Sequence, residues 1–119
     1  MSKILLVEDQ DEVRWMLRRY LERAYYHVEE APDADVALEL YRENPADLVV
    51  TDLLLPRKTG LELIVDLRRE WPHVKIIAIS TSEKMLAQAR LVGATEALHK
   101  PFLPSKLLEI IKQLLEGSS

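Results

Sequence analysis

Residues 48–60 read LVVTDLLLPRKTG. An apolar, partly β-branched run ends on an acid, Asp52. Three leucines follow, then a proline, and a glycine closes the stretch. Near-continuous apolarity without alternation suits a strand covered on both faces, as in a parallel sheet. Thr59 and Glu62 have the spacing of a capping box, so a helix begins at about residue 60. The unit is strand, acid-bearing loop, helix. A lone carboxylate is costly to bury unless it is paired or binds a cation. Asp52 is therefore the residue to explain.

Working outward, the same unit recurs. KILLV (3–7), YHVEEA (26–31), ADLVVT (46–51), VKIIAI (74–79) and EALH (96–99) read as strands. Helical patterns lie between them. In 11–24, Val13, Met16, Leu17, Tyr20, Leu21 and Ala24 mark one face of an amphipathic helix. Residues 34–43 and 60–71 follow suit, the latter stopped by Pro72. A fourth helix, 83–92, is closed by Gly93. Leu107, Leu108, Ile111, Leu114 and Leu115 mark a fifth. Five βα units with short connections predict an α/β fold, a doubly wound parallel sheet with helices on both faces.

The chain has 119 residues, which is one domain (1–119) with room for a sizeable core. Apolar residues make up 48% and charged residues 30%, the balance of an ordinary globular protein. There is no cysteine, so disulfides and thiolate metal sites are excluded. The net charge is -4, and Arg18-Arg19 and Arg68-Arg69 are too short to form a basic tract, which argues against direct nucleic-acid binding. The apolar run at the N-terminus is too short for a signal-peptide core or a membrane span, so a cytoplasmic location with no membrane association is expected. Gly117-Ser118-Ser119 reads as a flexible tail.

In open parallel sheets, ligands bind beyond the carboxyl ends of the strands. Those ends carry Glu8-Asp9, Asp52, Ser80-Thr81 and Lys100-Pro101. Each alone has an ordinary reading: an acid as a helix N-cap, a serine bonding a loop amide, a lysine in solvent. Together they form a rim with a specific chemistry. Crowded carboxylates repel, and at least one should have a raised pKa. A hard cation such as Mg²⁺ relieves the crowding and needs only one or two carboxylates. A carboxylate can also act as a nucleophile and form an aspartyl phosphate. The developing charge then needs a cation and hydroxyl donors, which Lys100 and Ser80 supply.

Val7-Glu8-Asp9, the D-x-x-x-P-x-x-x-G pattern at 52–60, IIAIS at 76–80 and Lys100-Pro101-Phe102 occur here in order. With these motifs the chain resembles the response-regulator receiver domains of two-component signalling, over nearly its whole length. The resemblance implies a flavodoxin-like sheet in order 2-1-3-4-5. It implies that Asp52 is the phosphoacceptor, charged by a sensor histidine kinase or a phosphotransfer protein. The metal set it implies for Mg²⁺ is Asp9, Asp52, the backbone carbonyl of Leu54, and Glu8 acting through a water. Ser80 would follow the phosphoryl group and Lys100 would contact it. Leu53 to Leu55 would shield Asp52 from solvent. Such a domain is no enzyme beyond its own phosphorylation and slow dephosphorylation. It signals to a downstream protein or to a fused output domain. The first helix and the loop after the fifth strand would form the kinase-docking face, presenting Trp15, Arg18, Pro101 and Phe102.

Several positions depart from the family pattern. Glu8 stands where many members have Asp. Thr81 replaces Ala or Gly, and Leu55 replaces Met. Ala97 stands where an aromatic ring swings inward on activation. The response is therefore expected to run through the loop after the fourth strand and the fourth helix, with Ala87 and Leu91 as outward-facing contacts. His99 reads as a polar residue on an edge strand. The competing functions are a non-phosphorylated interaction module of the same fold, a phosphatase with an aspartyl-phosphate intermediate, and an FMN carrier. The phosphatase would need an Asp-x-Asp motif after the first strand with room before the helix. The FMN carrier would need a Ser/Thr/Gly-rich phosphate loop there. Val7-Glu8-Asp9-Gln10-Asp11 has the acids but runs directly into a helix, and it contains no such phosphate loop.

Overall fold

A computed structural model describes residues 2–116; the tail expected at 117–119 lies outside the described residues. The elements alternate as the sequence predicts: β1 (Lys3–Val7), α1 (Asp11–Arg23), β2 (His27–Ala31), α2 (Ala34–Glu43), β3 (Leu48–Asp52), α3 (Gly60–Glu70), β4 (Ile76–Ser80), α4 (Glu83–Val92), β5 (Glu96–His99) and α5 (Pro104–Glu116). All strand pairs are parallel, in the order β2-β1-β3-β4-β5.

Strand side chains alternate between two layers, as the pleat requires. Leu5, Val7, Val49, Ile76 and Ala78 pack under α2, α3 and α4, where they meet Ala37, Tyr41, Leu63, Ile64, Leu67 and Leu86. Ile4, Leu6, Leu48, Val50, Ile77 and Ile79 pack under α1 and α5, against Leu17, Leu21, Leu107 and Ile111. β1, β3 and β4 are covered on both faces, which explains their unbroken apolar runs.

Boundaries shift from the sequence reading by one or two residues. β3 and β4 each start and end later, so Asp52 and Ser80 are the last residues of their strands rather than the first of their loops. Val74 is buried but precedes the ladder. Met16, read as part of the apolar face of α1, is 50% exposed. Neighbouring residues on a helix are about 100° apart. Met16 thus falls at the margin of a stripe centred on Leu17 and Leu21.

The β3–α3 connection is tightly specified. Thr59 and Glu62 form the expected capping box, with Thr59 Oγ1 accepting from the Glu62 amide at 3.2 Å. The Gly60 amide donates back to the Leu53 carbonyl at 2.9 Å. A Cβ on Gly60 would lie 2.7 Å from Leu53 Cα and collide with the Asp52 carbonyl oxygen, so only glycine allows α3 to start this close to β3. Arg57 turns with a φ of 65° and is ion-paired to Asp33 at 2.7 Å, tying this loop to the start of α2.

Candidate phosphoryl-transfer site

The carboxyl ends of β1, β3, β4 and β5 meet in a cleft of about 520 Å³, lined by Asp9, Asp52, Leu54, Ser80, Thr81, Ser82, Met85 and Lys100, among others. Sheet order brings them together: β3 lies between β1 and β4, and β5 follows β4.

Asp52 is buried and doubly held. Its Oδ1 accepts from the Leu54 amide at 3.1 Å. Its Oδ2 accepts from Lys100 Nζ at 2.5 Å. Lys100 is itself anchored, its amide donating to the Ser80 carbonyl at 2.9 Å. Burial works against the Lys100 charge, but the Asp52 and Glu8 carboxylates outweigh it and hold the ammonium above its ordinary pKa.

Glu8 and Asp9 part company. Glu8 is 3% exposed and turns inward, where its Oε1 lies 3.6 Å from Lys100 Nζ and its Oε2 accepts from the Gln10 amide at 3.0 Å. Burial pushes its carboxyl up to about 7, the Asp52 charge adds to the rise, and the Gln10 amide opposes it. A raised acid was expected from crowding, and Glu8 is one, but burial is the larger cause. Asp9 is exposed and faces the cleft. As a result, no three acidic or histidine side chains among the described residues stand close enough to hold a metal by themselves. Mg²⁺ does not require three. It takes oxygen ligands, keeps waters and uses one or two carboxylates. Asp9 and Asp52 on one cleft, with no histidine or cysteine in its lining, fit that preference.

Ser80 Oγ accepts from the Ser82 amide at 3.0 Å, and Ser82 Oγ caps α4 by accepting from the Met85 amide at 3.1 Å. The hydroxyl at the end of β4 is thus one hydrogen bond from the first turn of α4. Leu53 and Leu55 are buried as expected, but Leu54 is 72% exposed, so two leucines rather than three shield Asp52. The turn after β3 alternates its side chains as a strand would, and the middle one faces out. His99 is exposed on the edge strand, 3.5 Å from Glu83, and does not line the cleft. Ala97 is half-buried on β5. Ser82, Met85 and Arg14 were missed by sequence reasoning. An S-x-x-[DE]-like cap signal was absent at Ser82, and nothing local marks Arg14, whose guanidinium donates to the Glu8 carbonyl at 2.7 Å.

The family model of the response regulator receiver domain matches residues 4–112. The chain belongs to that family. The receiver domain is 31% identical to the chemotaxis protein CheY of Thermotoga maritima, over 95% of this chain and 97% of that one. It is also 31% identical to the transcriptional regulatory protein ResD of Bacillus subtilis, over 99% of this chain but only 50% of ResD. Among solved structures, the response regulator TrrA of Thermotoga maritima, in complex with Mg²⁺ and BeF, superposes with a TM-score of 0.90 at 28% identity, covering 97% of this chain and 100% of that one. Receiver domains of this family act in two-component signalling, between histidine kinases and output partners. No helix among the described residues is long and apolar enough to cross a membrane.

Proposed function

We propose that Asp52 accepts a phosphoryl group from the phosphohistidine of a sensor kinase or phosphotransfer protein, and that residues 1–119 act as a single cytoplasmic receiver domain. The observation that carries this is Lys100 Nζ, 2.5 Å from Asp52 and 3.6 Å from Glu8, in a cleft shared with Asp9 and Ser80. A carboxylate oxygen of Asp52 attacks phosphorus, the P–N bond breaks, and the histidine nitrogen keeps the electron pair. Mg²⁺, held by Asp9, Asp52 and the Leu54 carbonyl with Glu8 acting through a water, would offset the charge on the transferring oxygens. Lys100 passes from the free carboxylate to a phosphoryl oxygen. Ser80 Oγ moves to donate to another and in doing so withdraws from the Ser82 amide, which loosens the start of α4. The signal then leaves through α4 to a downstream protein or a fused output domain. The kinase docks on α1, where Trp15 stands 58% exposed with the Arg19 guanidinium 4.9 Å from its ring centre. In the loop after β5, Pro101 is exposed and Phe102 is half-buried against the α1–α5 core.

The test is incubation with Mg²⁺ and a small acyl-phosphate donor, followed by intact mass measurement. The parent should gain one phosphoryl group and Asp52→Asn none, while both stay folded. Equal labelling of the two would move the acceptor elsewhere. No labelling of the parent under any donor would favour the non-phosphorylated interaction module.

A further inference from the structure

Arg14 lies in the first turns of α1, outside the cleft, with its side chain only 17% exposed. Its guanidinium makes three separate contacts. Nη1 donates to the backbone carbonyl of Glu8 at 2.7 Å. Nη2 donates to Asp11 Oδ1 at 2.7 Å. Nε faces Glu30 Oε1 at 3.4 Å, and the other oxygen of Glu30 is held by Arg18 at 2.6 Å. One planar group therefore joins the end of β1, the first residue of α1 and the end of β2. Asp9 and Gln10 are the turn between the first two of these anchors. The Glu8 amide adds a bond to the Ala31 carbonyl at 3.1 Å, so the residue before Asp9 is fixed from two sides.

An exposed ion pair contributes little to stability. A largely buried fork that satisfies a backbone carbonyl does something different: it fixes geometry, which lysine cannot reproduce. We infer that Arg14 is a positioning residue for the divalent cation, holding the Asp9 turn so that its carboxylate faces Asp52 across the cleft. This rests on the reading of Asp9 and Asp52 as cation ligands. Arg14 touches neither the cation nor the phosphoryl group. Without it, the turn must be ordered by the cation itself, and the conformational entropy of that ordering is subtracted from affinity.

Charge and positioning predict opposite signs here. Removing a cation from the neighbourhood of a Mg²⁺ site should tighten binding if charge alone matters. Loss of positioning should weaken it. The experiment is a Mg²⁺ titration by calorimetry on the full chain, with no phosphodonor present, checked by Mn²⁺ in electron paramagnetic resonance. Arg14→Met and Arg14→Lys should both weaken binding about tenfold, the usual cost of removing an outer partner of a metal ligand. Glu30→Gln, which keeps the arginine but slackens one of its anchors, should weaken binding by a smaller factor. Unchanged or tighter binding in both Arg14 variants overturns the inference. Circular dichroism establishes that each variant is folded, and if Arg14→Met is not, Arg14→Lys and Glu30→Gln decide. Asp9→Asn separates the two layers of the reading. If it binds Mg²⁺ like the parent, the ligand assignment falls and the inference with it. If it loses Mg²⁺ while the Arg14 variants keep it, only the role of Arg14 falls.

Discussion

At neutral pH the Glu8 carboxyl is divided between its protonated and ionised forms, because burial has lifted its pKa from 4.5 to about 7. An acid whose pKa is raised by folding favours the folded state while both states are protonated. The unfolded chain releases its proton near 4.5 and the folded one near 7, so stability falls as pH rises through that window. The loss is on the order of 3 kcal/mol. Glu8→Gln should abolish that part of the slope. Urea unfolding in chelator at about pH 5 and about pH 8 checks it, by the difference between parent and variant. An identical slope in the two proteins would mean that Glu8 is ionised throughout. At this scale the sequence was only partly legible. Asp52 and Lys100 stood out because an acid and a lysine at strand ends break an apolar pattern. That Glu8 turns in while Asp9 turns out follows from the path of the backbone between β1 and α1. Side-chain direction in a turn has no period to read.

The elements themselves were legible almost to the residue, because apolar periodicity and caps act locally. Thr59 with Glu62 and Gly93 with its φ of 119° mark helix ends by chemistry that needs no partner. Gly60 is the stricter case. Gly60→Ala should destabilise the fold by roughly 2–4 kcal/mol, since the colliding atoms are backbone and cannot rotate away. Urea unfolding measures this, and a neutral result would mean that the β3–α3 turn can open. α4 is where Ser80 should make itself felt. Hydrogen exchange with and without beryllofluoride should change across residues 80–92, and Ser80→Ala should be phosphorylated yet show a smaller change. No difference across that segment would rule out the route. α1 carries the remaining prediction. Truncating an interface Trp often costs about 2 kcal/mol, or roughly 30-fold in binding. Trp15→Ala should slow transfer from a subsaturating kinase by about that factor and leave a small phosphodonor unaffected. A fall in both rates would mean that Trp15 supports the cleft.

At the scale of the whole molecule, topology does what no single motif can. The four strand ends are up to about ninety residues apart in the chain, and parallel pairing lines them up on one rim. Strand order entered the sequence reading by family resemblance, because periodicity says that a strand is covered on both faces but not which strands flank it. The sheet has a second consequence. Each strand side chain belongs to one layer or the other, so Leu17 on α1 and Leu63 on α3 lie in separate clusters on opposite faces of the sheet. Losses from Leu17→Ala and Leu63→Ala should therefore sum to within about 0.5 kcal/mol in the double variant. The two layers form separate arenas for mutational drift. A lineage can rework the helices that meet one set of partners while the opposite layer goes on holding the strands, and the rim they end on, in register.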